Sequence, residues 1–517
     1  MHIPQAIQVT MTISFSQELL ISTVLVLLVS LCLYYYFRSK NKSVLLIDWP
    51  ILHMLPGFIA NLRNMHDYAA ACLAESGHNF RLRLPQGHIF LTCDPANIRH
   101  IFTTNHVNFP KGPEFAAIFD IMEGGFFTVD GEPYHRQHAK IQSLLGDPRL
   151  VATMVACCRD KVVNGLLPLF THMASAGTPF DMQEVASRFM FDVAAIPLFG
   201  VDPGLLSSGM PSMDVAVAMD TVMEVAFFRQ ILPTSCWKAM RWLNIGIERR
   251  LNVAHTMLRG FIMEMIEMKK IKRVRVCNEE EQECVDIMSD YMNDPEFVEN
   301  DLLGGMLLCF MLAGRDTIGT TLPWIFYKLA QNPNIVSIIR NELSSIASRK
   351  VVMGMTGTVI FEPEETKPLV YLRAVLYETL RLHPPAPFER KTVATNDVMP
   401  SGHEVHAGET IIISIHSMGR MEGVWGKDCH DYNPHRWLSK DGNTLRHVPS
   451  NKFVSFNSGP RMCPGKEIAV TQMKTFVANV VWNFDMELTE GQSIQPKLSS
   501  TLQMKNGLMM KLKKREI

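Results

Sequence analysis

Between Asp301 and Arg315 the chain runs thirteen residues without a charge. Leu302, Leu303, Met306, Leu307, Leu308, Phe310, Met311 and Leu312 put an apolar side chain on every face of the helix that this spacing predicts. Such a helix must be wrapped by protein on all sides, and the run is too short to cross a bilayer. The chain therefore needs a body large enough to enclose it. The same helix carries Ala313-Gly314-Arg315-Asp316-Thr317 into the interior, where an unpaired carboxylate is costly. Either Arg315 neutralises Asp316, or Asp316 faces water in a functional cavity. The small Ala313-Gly314 pair leaves room beside the helix for something flat or diatomic.

The 517 residues are enough for such a body, and no long Gly/Ser or Pro-rich linker follows residue 60, so one large domain is expected. Lys+Arg number 50 against 51 Asp+Glu, a net charge of −1, which gives no electrostatic pull toward nucleic acid. Hydrophobic residues at 47% and charged residues at 20% exclude a disordered or multi-span membrane chain. Eleven cysteines, without a C-x-x-C pair, form neither a disulfide framework nor a zinc site, and imply a reducing compartment.

The N-terminus departs from this soluble composition. Residues 19–37, LLISTVLVLLVSLCLYYYF, carry no charge and are long enough to span a hydrocarbon core as a helix. Glu18 before the run, and no A-x-A-like site after it, argue against a cleaved signal peptide. Arg38, Lys40 and Lys42 follow at once, so the positive-inside rule keeps the body cytosolic and sends residues 1–18 to the lumen. Residues 38–57, with Trp49-Pro50 and Leu55-Pro56-Gly57, read as a basic flank and proline-stiffened hinge before a domain over 58–517.

Helical spacing dominates from Asp94 to Met292, while Phe80–Leu84 and His88–Thr92 alternate around Pro85-Gln86-Gly87 as a hairpin. Strand-like pieces return at Glu409–Ser414 and Leu508–Leu512, so a minor sheet joins segments distant in sequence. The fold class is mainly α with a minor β region. The basic run Lys269–Arg275 and acidic Glu279–Glu283 read as a solvated loop.

Residues 456–465, FNSGPRMCPG, carry the sharpest chemistry. A thiolate ligand to haem iron needs a turn that shields sulfur, backbone N–H groups that stabilise its charge, and glycines where the chain nears the porphyrin. Cys463 sits in such a turn between Gly459 and Gly465. Arg461 can meet a haem propionate, and Phe456 can pack near the sulfur.

The pattern F-x-x-G-x-R-x-C-x-G resembles the haem-binding signature of the cytochrome P-450 monooxygenases, and the resemblance covers roughly residues 45–515. It implies the P-450 fold behind one transmembrane anchor, haem b as cofactor, and Cys463 as the axial ligand of its iron. Tyr134, His138 and Arg390 join Arg461, Phe456, Gly459 and Gly465 as cofactor contacts. Glu378-x-x-Arg381, with Arg436 in Pro434-His435-Arg436-Trp437, resembles the family's buried Glu-Arg-Arg network, which is structural. Ala313-Gly314-x-Asp316-Thr317 resembles the oxygen-binding helix, in which the threonine orders water and the acid relays protons. Two positions depart from the pattern. The family's W-x-x-x-R is Tyr134-His135-Arg136-Gln137-His138 here, and Ile318 follows Thr317 where a second hydroxyl is common.

The stretches 108–132, 180–207 and 417–440 resemble the plant clan of fatty-acid ω-hydroxylases and midchain alkane hydroxylases, nearest the alkane-hydroxylase family that also contains amaryllis-type phenol-coupling enzymes. The implied function is hydroxylation of a long-chain aliphatic, a fatty acid or alkane. Phenol coupling or hydroxylation of a plant alkaloid is the alternative, and a haem-binding relative without turnover a further one. Electrons would come from an NADPH-cytochrome P-450 reductase, with cytochrome b5 as a second candidate donor. The expected location is the endoplasmic reticulum membrane, single-pass, with the catalytic domain toward the cytosol. By the same resemblance the substrate, small and hydrophobic, meets residues 111–128, 210–232, 310–317, 386–389 and 500–502. Met210, Met213, Met219, Met223, Phe227 and Phe228 are the candidates in the second stretch.

Overall fold

The computed structural model describes residues 44–516, apart from 50–51, 86, 208, 277–285, 300–301 and 353–356, together with Val26, Val29, Ser30 and Leu33. The expected span 19–37 lies outside the described residues save for those last four, and segment 1–18 lies wholly outside. Among the described residues no helix is long and apolar enough to cross a membrane. The eight described cysteines are all free thiols.

Helices dominate, and the apolar run after Asp301 is their centre. It forms one rod in three pieces: an α-helix Leu303–Met311, a wider π turn Leu312–Asp316, and an α-helix Thr317–Gln331. Met306 to Met311 bury into one hydrophobic core with the helix Asp214–Ile231, while Ile318 to Leu329 bury into another with Val370–Leu382 and Lys466–Asn483. The π turn falls where the rod passes between the two cores. An inserted residue widens the backbone there, a device common at functional sites.

The small pair leaves room beside the helix as expected, since Ala313 and Gly314 both line a cavity, and Gly314 has a second use. A Cβ on it would stand 3.1 Å from the Ala194 Cβ, so its missing side chain also admits the helix Met182–Phe199. The basic run Lys269–Arg275 is not a loop: its backbone forms the last turns of the helix Gly246–Val276, while the acidic stretch 279–283 lies outside the described residues. Lys269 is buried there, paired with Asp286. Leu55-Pro56-Gly57 likewise opens a helix, Leu55–Ala60. Proline in its first turn loses no needed N–H.

Nine strands occur among the described residues: β1 (Asn79–Leu84), β2 (Gly87–Thr92), β3 (Phe180–Asp181), β4 (Phe388–Thr392), β5 (Asp397–Val398), β6 (Glu404–Val405), β7 (Thr410–Ser414), β8 (Phe484–Leu488) and β9 (Met509–Lys514). The largest sheet has the order β1-β2-β7-β4. The β1–β2 hairpin pairs antiparallel, and β7 lies parallel to β2 and antiparallel to β4. Period-2 alternation divides its residues between two faces. Phe90, Ile411 and Ile413 enter a third core. Leu82, Ile89, Leu91, Ile412 and Arg390 form one wall of a cavity that reaches Thr317.

Candidate active site

The cysteine turn is closed by its own backbone. The Cys463 N–H donates to the Phe456 carbonyl at 2.8 Å and the Met462 N–H to Gly459 at 3.0 Å, after which the chain enters the helix Lys466–Asn483. Gly459 has φ of 61°, and a Cβ there would lie 2.0 Å from the Phe102 carbonyl oxygen, so only glycine fits. Gly459→Ala is expected to cost about 2–3 kcal/mol of stability, from backbone strain and overpacking, and to weaken haem retention. Thermal unfolding followed at the Soret band checks this. A Cβ on Gly465 would sit 3.9 Å from the Cys463 Sγ, so glycine there leaves one side of the sulfur uncrowded. Burial pushes the Cys463 thiol up, while a backbone hydrogen bond from Gly465 and the charge of Lys466 pull it toward thiolate.

Above the turn lies a cavity of about 380 Å³, with Cys463 and Phe456 on one wall and Ala313, Gly314 and Thr317 on another. Its rim is basic. Arg461 stacks on the Tyr134 ring at 3.9 Å and donates to the Val129 carbonyl at 2.8 Å and to Asp130. The Tyr134 hydroxyl donates to the Pro460 carbonyl at 3.1 Å, and His138 Nε2 lies 3.3 Å from the Met462 carbonyl. A helix lacking the usual tryptophan and arginine is thus still fastened to the cysteine turn. A profile of the cytochrome P-450 family, "Cytochrome P450" by description, matches residues 47–516 around this site.

The chain is a cytochrome P-450. As in that family, it is a monooxygenase and its cofactor is haem b. Noroxomaritidine synthase from Narcissus aff. pseudonarcissus MK-2014 is 36% identical over 505 residues, covering 97% of each chain. Alkane hydroxylase MAH1 from Arabidopsis thaliana is 33% identical, covering 94% of this chain and 97% of its own length. A third relative, cytochrome P-450 86B1 of the same plant, is 33% identical over 93% of this chain and 87% of its own.

The residues of this P-450 fit haem. Besides the cysteine turn, the cavity holds Lys111, which is 5% exposed and makes no ion pair among the described residues; its amino group lies 4.0 Å from the centre of the Phe127 ring. Burial pulls its amine down to about 7, a cost that an acidic group of a bound cofactor would relieve. Arg461, Lys111, Tyr134 and His138 would hold the propionates, and Cys463 the iron. The sequence placed Lys111 only at the start of the substrate stretch 111–128 and gave no sign of a cofactor contact, because a lysine between Pro110 and Gly112-Pro113 reads locally as an ordinary turn.

Glu378, Arg381 and Arg436 come together as the family pattern implies. Arg381 donates twice to the fully buried Glu378 carboxylate at 2.7 Å, and Arg436 donates at 3.0 Å. The sequence reading missed a further donor, the Trp437 indole at 2.9 Å, and the Asn433 N–H adds another at 2.8 Å. Arg381 also reaches the carbonyls of Cys429 and Asp431, and Arg436 reaches Asp428, so the network staples the segment leading to the cysteine turn.

Arg390 stands apart from the other expected cofactor contacts. Alternation along β4 turns it from the cysteine cavity into a second, distal cavity of about 320 Å³. Its guanidinium pairs there with Glu114 and the Thr410 hydroxyl. Each substrate segment expected from the family contributes to this distal cavity: Phe115 to Phe127, Met223 with Phe227, Leu312 to Thr317, Ala386 to Glu389, and Ser500 with Thr501. Of the six Met and Phe candidates only Met223 and Phe227 line it. Met219 is core, Met213 lines a third, polar cavity, and Met210 and Phe228 line none of the three.

Both alternatives for Asp316 hold at once. Oδ1 accepts from Arg315 at 2.7 Å, while Oδ2 is buried without a partner among the described residues. Asp316 lines both the distal cavity and the polar one, about 410 Å³, which also touches Glu184, Ser187, Asp220, Arg315 and Gln503. Thr317 spends its hydroxyl hydrogen on the Ala313 carbonyl at 2.9 Å, leaving its oxygen lone pairs toward the cavity.

Proposed function

We propose that this P-450 hydroxylates a long-chain aliphatic molecule lying in the distal cavity. The observation that carries this reading is the cavity wall: from β1 and β2 to Thr317 it is mostly hydrocarbon, supplied by leucine, isoleucine, methionine and phenylalanine. Its two carboxylates each stand beside a cation, Asp316 beside Arg315 and Glu389 beside Lys391, so the charge that would attract a substrate ammonium is partly offset. That weighs against an alkaloid amine, the class the phenol-coupling alternative requires. The names of the relatives fit either class.

Cys463 would hold the haem iron, which when bound would supply the oxidising chemistry for the C–H bond. The chain supplies exclusion of water and delivery of protons. Phe119, Phe126 and Phe127 keep bulk water from the reacting carbon. Asp316 stands between the polar cavity and the distal one. Burial raises its carboxyl to about 6 against the pull of Arg315, which suits it to pass protons near neutral pH. The Thr317 oxygen receives the water that carries them on. Thr317→Ala is expected to lower product per NADPH by on the order of tenfold or more and to raise hydrogen peroxide correspondingly. Paired measurement of NADPH consumption, peroxide and product checks this, and unchanged coupling removes Thr317 from the relay.

Electrons come, in this reading, from a membrane-bound NADPH-cytochrome P-450 reductase, with residues 19–37 anchoring the enzyme in the endoplasmic reticulum and the body in the cytosol. The deciding experiment supplies labelled dioxygen with fatty acids, alkanes and bis-phenolic amines. Labelled alcohols from the chains support the reading. A coupled phenol that has lost two hydrogens and gained no oxygen overturns it.

A further inference from the structure

Arg390 is the one cationic side chain among the described residues lining the distal cavity. It sits on β4 opposite Ile412 of β7, which in turn pairs with Leu91 of β2, so its immediate wall is hydrocarbon. It is 8% exposed, yet its Nε–H is buried without a hydrogen-bond partner among the described residues. Only Nη2 is engaged, by Thr410 Oγ1 at 3.1 Å and by Glu114. The Glu114 side chain is 63% exposed and shares its charge with solvent. A buried guanidinium with an open donor edge is costly to keep, and that edge matches the two oxygens of a carboxylate.

We propose that Arg390 anchors the carboxylate of the substrate, so that the enzyme takes long-chain acids in preference to the corresponding alkanes or esters. This rests on the aliphatic reading of the site and narrows it. Arg390 lines the distal cavity and not the cysteine cavity, whereas Thr317, Ala386 and Glu389 line both, so an acid held at Arg390 lies in the distal cavity with its chain free to extend toward Thr317 and the cysteine side. Ser500 and Thr501 also carry buried hydroxyls without partners in this cavity, but being neutral they do not discriminate an acid from its ester.

The test titrates the haem-loaded, full-length enzyme with palmitate, methyl palmitate and hexadecane, reading the Soret shift. The wild-type protein is expected to bind palmitate roughly tenfold to a hundredfold more tightly than the methyl ester, the range for a charge-assisted pair. Arg390→Gln should erase that preference while leaving hexadecane unchanged. Glu114→Gln, which frees the competing edge of the guanidinium, should strengthen palmitate binding alone, and it keeps the test decisive if the Arg390 variant fails to fold. Equal binding of acid and ester by the wild type, or a preference that survives in Arg390→Gln, overturns the anchor and leaves the aliphatic reading standing. No shift with any of the three probes ends both.

Discussion

Replacing Cys463 by Ala should leave a folded protein whose reduced carbon monoxide spectrum has lost the thiolate-type band and whose turnover has fallen to background. The turn itself does not depend on the sulfur. It is closed by backbone bonds from Cys463 and Met462 and by the left-handed Gly459 against Phe102, all of which alanine keeps. What alanine removes is the one thiol among the described residues lining the cavity beneath Ala313 and Thr317. Other buried thiols offer no substitute. Cys309 lines the distal cavity, but its thiol is pushed up to about 12 by burial, so it stays protonated at neutral pH. Circular dichroism reports the fold, and the carbon monoxide difference spectrum reports the ligand. A thiolate-type band persisting in Cys463→Ala would falsify the assignment.

The cysteine turn could be read from the sequence while the cavity that Arg390 faces could not, and the difference is one of range. The cysteine turn is built within ten residues, so its glycines, arginine and phenylalanine all carry their meaning locally. Glu378, Arg381 and Arg436 are spread over 59 residues but keep a fixed order, so a family pattern finds them too. Arg390 and Lys391 differ only in which face of β4 they occupy. That is decided by pairing with β7, more than twenty residues away, which leaves Arg390 on the distal cavity and Lys391 buried over the Phe102 ring. Lys111 was hidden for a related reason. Its burial depends on Phe127 and Arg461 arriving from elsewhere, and the Pro-Lys-Gly-Pro sequence has no periodicity to foretell it. The rod after Asp301 was readable because all-round hydrophobicity is itself the signal. Its π turn was not, since the widening arises where two cores meet and neither core is visible in the local residues. Apolar spacing likewise could not separate Met223 and Phe227, which line the cavity, from Met219, which is core; both classes repeat at helical intervals.

Glu378→Ala is expected to be the most destabilising single change outside the cysteine turn. The carboxylate is fully buried and accepts from Arg381 twice, from Arg436, from the Trp437 indole and from the Asn433 N–H. Removing it leaves Arg381, itself only 2% exposed, without its anion, and strands a buried indole donor. Loss of one partner from a buried ion pair costs about 3–5 kcal/mol, a large share of the roughly 5–15 kcal/mol that holds a typical domain together. The damage is directional as well. Arg381 also grips the carbonyls of Cys429 and Asp431, so the loss of its anion is felt along that segment. The segment running from there to residue 463 should loosen, and haem-loaded protein should fall sharply in yield before catalysis can be measured. Glu378→Gln, which keeps the shape and loses the charge, should lie between the two. Lys270→Ala, which cuts a surface pair with Glu267 at 3.6 Å, should leave the unfolding midpoint unchanged. Denaturant unfolding of the three variants, together with the haem-to-protein ratio on purification, orders them; a Glu378→Ala protein as stable and as fully loaded as wild type would mean that the cysteine turn is held by its own backbone alone.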